Sequence, residues 1–325
     1  MRIVMTILAA LLLARLASPA QDLRLEDVPR AGLGPDLHRS LPLTPAQRAE
    51  VERAVKGRNF EAAETLLVEE IRSNPRSTSL LTTLGGIFFL DGRYLQCAIA
   101  LKKAEALAPL GDRDRFTLAL AYIILNHQDW ARPELEKLAA NDPHNALYPY
   151  WLGRLDYHAM QFKLAVTRFQ KVLELDPDFM KGYDNLGLCY QAMGKYDDAI
   201  PAYQEAIRLN REKPNPSPWP PLNLGTLLVK LGKLEEARPA LQESLRYDSR
   251  FPKAHFQMGL LLEKEKKDKE AIEELLLAIN YDPAYPDPHN VLGRIYKRLG
   301  DERQAEAAWN TFQKLKTEKP DEHPH

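Results

Sequence analysis

Apolar residues recur along most of the chain with a period of 34 residues, in eight consecutive segments that run from Thr44 to Lys319. Within each segment they fall three or four residues apart in two stretches, which a polar turn separates. The fifth segment shows this best, with Tyr183, Leu186, Gly187 and Tyr190 before the turn and Ala199, Tyr203, Ala206 and Leu209 after it. Such spacing places side chains on one face of a helix. The pattern therefore predicts one pair of helices per segment.

Two places in each segment hold a small residue in nearly every copy. The eighth place is Val51, Gly85, Ala119, Gly153, Gly187, Gly225, Gly259 and Gly293. The twentieth place is Ala63, Cys97, Ala131, Ala165, Ala199, Ala237, Ala271 and Ala305. We expect two antiparallel helix backbones to approach closely at these places, where a large side chain would cost about 1–3 kcal/mol. Proline at the thirty-second place of five segments ends the second helix, because it has no N–H to continue it.

These residues give the chain a resemblance to the tetratricopeptide repeat, whose pattern is W-x2-L-G-x2-Y, then A-x3-F, then P. The fifth segment has Leu186-Gly187-x-x-Tyr190 and Ala199-x3-Tyr203, and the eighth has Leu292-Gly293-x-x-Tyr296 and Ala305-x3-Trp309. The resemblance implies an all-α fold: a right-handed superhelical solenoid of antiparallel helix pairs. Each repeat of such an array contacts only its neighbours. The first repeat departs most from the pattern, with Val51 at the glycine place, although Thr44-Pro45-x-Gln47 predicts a well-capped helix start.

The organisation predicted from these patterns is a single array with short flanking segments. Residues 21–43 lack helical periodicity and are expected to form an extended leader, and residues 320–325 form a polar tail. The repeats begin at residues 44, 78, 112, 146, 180, 218, 252 and 286. A proline-rich insertion at about 210–221 shifts the register. It is interpreted either as a stiff loop between repeats or as a lip that presents Trp219 to a ligand.

Residues 1–20 have the form of a secretory signal peptide, with a basic start, a short apolar run and a small-residue end at Ala20. Cleavage there predicts a secreted or periplasmic protein without a transmembrane span in the mature chain. It lowers the count of basic residues from 44 to 42 against 45 acidic ones, a net charge of −3, which does not favour nucleic acid. Cys97 and Cys189 lie too many repeats apart to form a disulfide, so both are expected to be packed thiols.

The resemblance implies a concave groove lined by the first helix of each repeat, at the second, fifth, ninth, twelfth and thirteenth places. The groove is expected to bind a partner protein or peptide through aromatic and aliphatic side chains, with a basic C-terminal end. An asparagine ladder at the sixth place, able to hydrogen-bond a peptide backbone, survives in part. The predicted groove residues are Phe89, Phe116, Tyr150, Arg154, Tyr157, His158, Asn185, Trp219, Asn223, Phe256, Lys264, Arg294, Lys297 and Arg298.

Two simpler interpretations stay open. The aliphatic side chains of the groove could serve only to pack adjacent helices, and the cations at the C-terminal end could serve only to complement helix dipoles. The lysine and asparagine clamp of chaperone-binding relatives is absent, because no fifth place is lysine and no ninth place is asparagine. No catalytic motif is present, so neither enzymatic activity nor a cofactor or metal is predicted.

The predicted function is a non-catalytic protein-binding module, an extracytoplasmic adaptor or assembly scaffold. The alternatives are a structural component of a cell-envelope complex and, less favoured, a carbohydrate-binding or polymer-processing protein that uses Tyr150, Tyr157 and Trp219.

Overall fold

The computed structural model describes residues 41–318, and this range contains sixteen α-helices and no strand. The helices are α1 Pro45–Lys56, α2 Phe60–Ser73, α3 Thr78–Leu90, α4 Tyr94–Glu105, α5 Asp112–Ile124, α6 Gln128–Asn141, α7 Leu147–His158, α8 Phe162–Leu175, α9 Met180–Ala192, α10 Tyr196–Arg211, α11 Trp219–Lys230, α12 Leu234–Tyr247, α13 Pro252–Lys264, α14 Asp268–Tyr281, α15 Asp287–Arg298 and α16 Glu302–Glu318. The all-α prediction is confirmed. The predicted signal peptide, most of the predicted leader and the tail lie outside the described residues.

The chain divides into two compact units, which we call the N-terminal unit (up to Tyr148) and the C-terminal unit (from Pro149). In the N-terminal unit α1 packs on α2, α3 on α4, and α5 on α6. In the C-terminal unit the pairs are α9 with α10, α11 with α12, α13 with α14, and α15 with α16. Within each unit the second helix of a pair also contacts the first helix of the next pair, which is the arrangement of a helix-pair solenoid. Within residues 41–318, no helix has the length and hydropathy to cross a membrane.

The small residue at the eighth place makes room for a side chain of the partner helix. A Cβ atom at Gly187 would lie 2.6 Å from ring carbons of Tyr203, and one at Gly225 would lie 2.5 Å from Leu241 Cδ2. The same relation joins Gly259 to Leu275, at 2.8 Å. The paired helices therefore come close at this place, as predicted. The small residue is needed mainly because a bulky side chain sixteen residues later packs against it. The backbone of the partner helix lies further away.

The turn inside each helix pair has a fixed backbone conformation. Within residues 41–318, eight residues have positive φ, and all occupy the fifteenth place: Arg58, Gly92, Asn126, Met160, Gly194, Gly232, Lys266 and Gly300. Glycine adopts this conformation at no steric cost, whereas other residues are strained in it. The charged run at 263–270 therefore keeps the same turn, with Lys266 at φ 65° in the glycine place.

Side chains fix both the start of the array and its one irregular loop. The Thr44 hydroxyl accepts from Gln47 N and the Gln47 side chain accepts from Thr44 N, as predicted for a capping box. The proline-rich insertion forms a loop at residues 212–218. Buried Asn210 closes that loop, donating to the Ser217 carbonyl and accepting from Ser217 N, both at 2.8 Å.

Both cysteines are free and buried, as predicted for packed thiols. Burial raises the pKa of both groups, to about 12 for Cys189, where nearby Asp156 adds to the effect. For Cys97, burial and then Asp114 raise the pKa still further. Burial therefore disfavours the thiolate of both residues, which is the reactive form of cysteine.

Candidate functional site

The first helices of the C-terminal unit form a continuous layer, because α9 contacts α11, α11 contacts α13, and α13 contacts α15. Their fifth, sixth and ninth places lie on the side that the second helices leave uncovered, where most side chains are half-buried. We call the half-buried members the C-terminal face: Asp184, Asn185, Leu188, Asn223, Thr226, Phe256, Gln257, Leu260 and Asn290.

Three large apolar side chains stand on the C-terminal face. Leu188, Phe256 and Leu260 pack against the core of the unit and keep part of their surface exposed. The Phe256 ring is held edge-on by Tyr285, with ring centroids 5.2 Å apart. Exposed apolar area that is grouped on one surface is typical of an interaction site. Sequence reasoning left Leu260 out, although its spacing of four from Phe256 places both on one side of α13.

Amide side chains lie between these apolar groups. Asn185 Nδ2 donates to the Lys181 carbonyl at 2.8 Å, and Asn223 Nδ2 donates to Asp184 Oδ1 at 2.9 Å. One N–H of each of these two side-chain amides is thus already engaged within the protein. In the part of the chain that the structure describes, neither amide oxygen accepts a hydrogen bond, so each remains an acceptor for a ligand N–H.

Trp219 opens α11 at the edge of this layer. Its ring packs edge-on against Phe251, with centroids 4.7 Å apart, and the Lys253 ammonium lies 5.1 Å from the ring centroid. Trp219 is half-buried. The side chain therefore belongs to a packed cluster, while retaining some exposed surface.

The predicted basic end is largely neutralised. Arg294 donates to both carboxylate oxygens of Glu263, at 3.2 and 2.7 Å, and Arg298 donates to both of Asp268, at 3.2 and 2.5 Å. Lys264 and Lys297 are exposed, and the Lys297 ammonium lies 5.8 Å from the Trp309 ring. These ion pairs leave the predicted basic end only weakly basic. Glu263 and Asp268 lie about one repeat before Arg294 and Arg298, the arginines that they pair with.

In α7, two of the four predicted groove residues are buried. Tyr150 is 2% exposed and packs against Phe169 and Phe179, with its ring centroid 5.1 Å from that of Phe179. Arg154 is 5% exposed, with its guanidinium 5.3 Å from the Trp151 ring. Both side chains are packing elements in this structure, so the expectation that Tyr150 offers contact surface needs correction.

Tyr157 and His158, at the end of α7, are half-buried. The Tyr157 ring meets Phe162 edge-on, with centroids 5.4 Å apart. Their part in a groove stays a prediction.

The two predicted groove residues of the N-terminal unit are also buried. Phe89 and Phe116 are each 7% exposed. Phe89 packs edge-on against Tyr94 at 5.4 Å, and Phe116 against Tyr148 at 5.7 Å. These rings contribute to packing and, as they stand, offer little surface to a partner.

Among residues 41–318, no three His, Cys, Asp or Glu side chains are grouped so as to hold a metal ion.

Comparison with known proteins identifies the repeat. Two family models described as "Tetratricopeptide repeat" match residues 178–250 and 222–287. A curated relative, "Protein CTR9 homolog" of Arabidopsis thaliana, is 27% identical over 145 residues, which make up 42% of this chain and 13% of that protein. The chain thus spans a small part of the length of this relative. Residues 178–287 contain tetratricopeptide repeats, as the sequence predicted.

Solved structures support the same fold. A tetratricopeptide repeat protein from Parabacteroides merdae ATCC 43184 is similar with a TM-score of 0.62 and 16% identity, covering 82% of this chain and 98% of that one. PilW, a widely conserved type IV pilus biogenesis factor, is similar with a TM-score of 0.57 and 19% identity, covering 62% of this chain and 92% of that one. At these identities the likeness concerns the fold alone. The count of eight repeats stays a prediction from the sequence, alongside the sixteen helices of residues 41–318.

Proposed function

We propose that the protein is a non-catalytic scaffold that binds a partner protein on the C-terminal face. The observation that carries the proposal is that Leu188 on α9 and Phe256 and Leu260 on α13 are half-exposed on one layer of first helices, with Asn223 of α11 between them. Aromatic and aliphatic anchors supply contact energy when a partner covers them.

The chemistry of this face favours a partner segment with an exposed backbone. The Asn185 and Asn223 oxygens are available to accept hydrogen bonds from peptide N–H groups. Apolar side chains of the partner would then fill the spaces beside Phe256 and Leu260. An extended strand satisfies both requirements, because it presents N–H groups and side chains at regular intervals.

The extracytoplasmic role rests on the sequence of residues 1–20, which lie outside the described residues. We propose that the mature chain acts as an adaptor or assembly scaffold in the periplasm or outside the cell. A structural part in a cell-envelope complex is the alternative within the same class. The carbohydrate-binding alternative is less favoured, because Tyr150 is buried and Trp219 is packed against Phe251.

Partner capture with a matched pair of variants tests the proposal. Leu260→Glu places a carboxylate in the middle of the C-terminal face, whereas Leu276→Glu makes the same change on α14, where the leucine is 48% exposed. We expect a protein captured from an extracytoplasmic extract by the wild-type chain to be retained by Leu276→Glu and lost by Leu260→Glu. Melting curves establish that both variants are folded. Equal capture by the two variants would show that the face is not the binding surface.

A further inference from the structure

The fourth place of the first helix carries a buried basic side chain in two of the repeats. In α5 it is Arg115, which donates to Glu134 of α6 and, at 3.2 Å, to Glu105 at the end of α4. In α13 it is His255, whose Nδ1 lies 2.7 Å from Glu274 Oε2 of α14. Glu134 and Glu274 share the twenty-third place of their repeats. The two repeats thus build the same contact, once with a cation that is always charged and once with a side chain that titrates near neutral pH.

The imidazole of His255 also holds the turn through which the chain enters α13. Its Nε2 lies 3.1 Å from the carbonyl oxygen of Ser249, between α12 and α13. An ionised carboxylate and a carbonyl oxygen only accept hydrogen bonds, so both contacts are satisfied only when both ring nitrogens carry a proton. A neutral imidazole has a single N–H, which favours the carboxylate of Glu274, because hydrogen bonds to a charged acceptor are the stronger ones. Loss of the proton therefore breaks the contact with Ser249.

The groups around His255 favour its protonated form. Burial acts to lower its pKa, but the hydrogen bonds to Glu274 and Ser249 and the charges of Glu274 and Asp248 raise it above the ordinary value of 6.5. The Tyr281 ring of α14 lies 5.4 Å from the imidazole, centroid to centroid. The cation is therefore held between the end of α12 and α14.

The other elements that pack against α13 add few titratable groups at the level of its first turn. Tyr247 of α12 donates to Glu243 at 2.6 Å, and the Lys253 ammonium of α13 itself lies 5.1 Å from the Trp219 ring. The first turn of α11 has no charged side chain, whereas that of α15 has Asp287 and His289. Of these groups, only His289 is another histidine.

The turn that His255 holds reaches the edge of the C-terminal face. Phe251, two residues after Ser249, packs edge-on against Trp219 with ring centroids 4.7 Å apart. Phe251 is buried, so it cannot shift without disturbing the ring on which it packs. Phe256 of the C-terminal face directly follows His255 in α13. A change in the turn is therefore passed to Trp219 and to the start of α13.

We propose that His255 is a pH-dependent tie between the turn at residues 248–251 and the seventh helix pair. The protonated ring joins the Ser249 carbonyl to Glu274, and the neutral ring keeps Glu274 and releases Ser249. The tie is complete below pH 6.5 and is lost as pH rises through the folded pKa of His255, which is the higher one. The contact between Phe251 and Trp219 then loosens. This inference goes beyond the proposed function, because it concerns the protein without a partner.

The eighth repeat contains a matched control. His289 occupies the fourth place of α15, but the twenty-third place of that repeat is Ala308. The carboxylate of Glu274 thus has no counterpart there, and burial lowers the pKa of His289. The turn before α15 should therefore not respond to pH above 6.5.

Hydrogen–deuterium exchange of the full chain tests the proposal. The amides of Phe251, Ala254 and His255 are hydrogen-bonded within the segment that the tie holds. After correction for the intrinsic pH dependence of exchange, peptides that cover residues 249–256 should lose protection several-fold between about pH 6 and about pH 9. The midpoint should coincide with the titration of the His255 ring followed by NMR. Peptides that cover residues 283–290 should keep their protection.

Three variants separate the tie from a general effect of pH. Glu274→Gln removes the carboxylate and should move both the His255 titration and the loss of protection to lower pH. His255→Gln should be less protected than the wild type in residues 249–256 at about pH 6 and should show no further change with pH. His289→Gln should behave like the wild type in this segment. Melting curves establish that all three variants are folded.

Protection of residues 249–256 that is independent of pH in the wild-type chain would overturn the proposal. A midpoint that differs from that of the His255 titration, or a pH-dependent loss that persists in His255→Gln, would do the same. No partner enters this experiment, so its outcome is separate from that of partner capture with Leu260→Glu.

Discussion

The first helices of the two units carry some of the same residue types, at the same repeat positions, in different surroundings. At the ninth place, Leu120 of the N-terminal unit is fully buried, whereas Leu188 and Leu260 of the C-terminal unit are half-exposed. At the fifth place, Phe116 is 7% exposed, whereas Phe256 is half-exposed. An identical residue at an identical repeat position can therefore be part of a core or part of a recognition surface. The difference lies in what covers the helix layer.

The largest loss of stability is expected from truncating Phe116 and Phe256 to alanine. Phe116→Ala should lower the free energy of unfolding by about 3–5 kcal/mol, because it removes a buried ring. Phe256→Ala should cost roughly half as much, because part of that ring is already in water. Urea unfolding read out by labelling of Cys97 and Cys189 reports on the two units separately. Equal losses of unfolding free energy for the two variants would contradict the difference in burial between the two units.

A smaller loss of stability is expected from removing one partner of an ion pair in each unit. In the N-terminal unit, Glu134 forms a short ion pair with Arg115, and both residues are less than 10% exposed. Glu134→Gln should cost roughly 2–3 kcal/mol, somewhat less than the loss of an isolated buried partner, because Glu105 also pairs with Arg115 at 3.2 Å. Asp268→Asn, at the exposed Arg298 pair of the C-terminal unit, should cost less than about 1 kcal/mol. Denaturation at low and high salt checks both values, and only the second pair should weaken with salt.

The smallest predicted effect is a dependence of stability on pH, which arises from His255 in the C-terminal unit. His255 Nδ1 lies 2.7 Å from Glu274 Oε2, and Nε2 lies 3.1 Å from the Ser249 carbonyl. Burial acts to lower the pKa of His255, but these two acceptors, with Asp248 nearby, raise it above the ordinary value of 6.5. The Tyr281 ring covers the imidazole at 5.4 Å. With both ring nitrogens facing acceptors, the cation is the favoured form.

Because the pKa is higher in the folded state than in the unfolded state, the stabilisation is complete below pH 6.5 and is lost as pH rises through the folded pKa. We expect the free energy of unfolding to fall over that window, and His255→Gln to remove this slope. A wild-type slope of opposite sign would show that His255 is neutral when folded. The pH dependence of the urea unfolding midpoint, compared between the wild type and His255→Gln, measures this slope.

Much of the fold could be predicted from the sequence because it depends on short-range spacing. The capping box at Thr44 and the small residue at Gly187 follow from neighbours within one repeat. The groove could not be predicted to the same depth. The pairing of Arg294 with Glu263 joins residues 31 positions apart, and the burial of Phe116 depends on what lies over the helix layer. Neither is encoded in a 34-residue period.

The most direct test of the account compares the accessibility of one first-helix ring in each unit. Hydroxyl-radical footprinting of the full chain oxidises exposed aromatic rings faster than buried ones. Phe256 should react several times faster than Phe116, because Phe116 is 7% exposed and Phe256 is half-exposed. Equal rates at the two rings in the wild-type chain would contradict the distinction between the buried first helices of the N-terminal unit and the half-exposed C-terminal face.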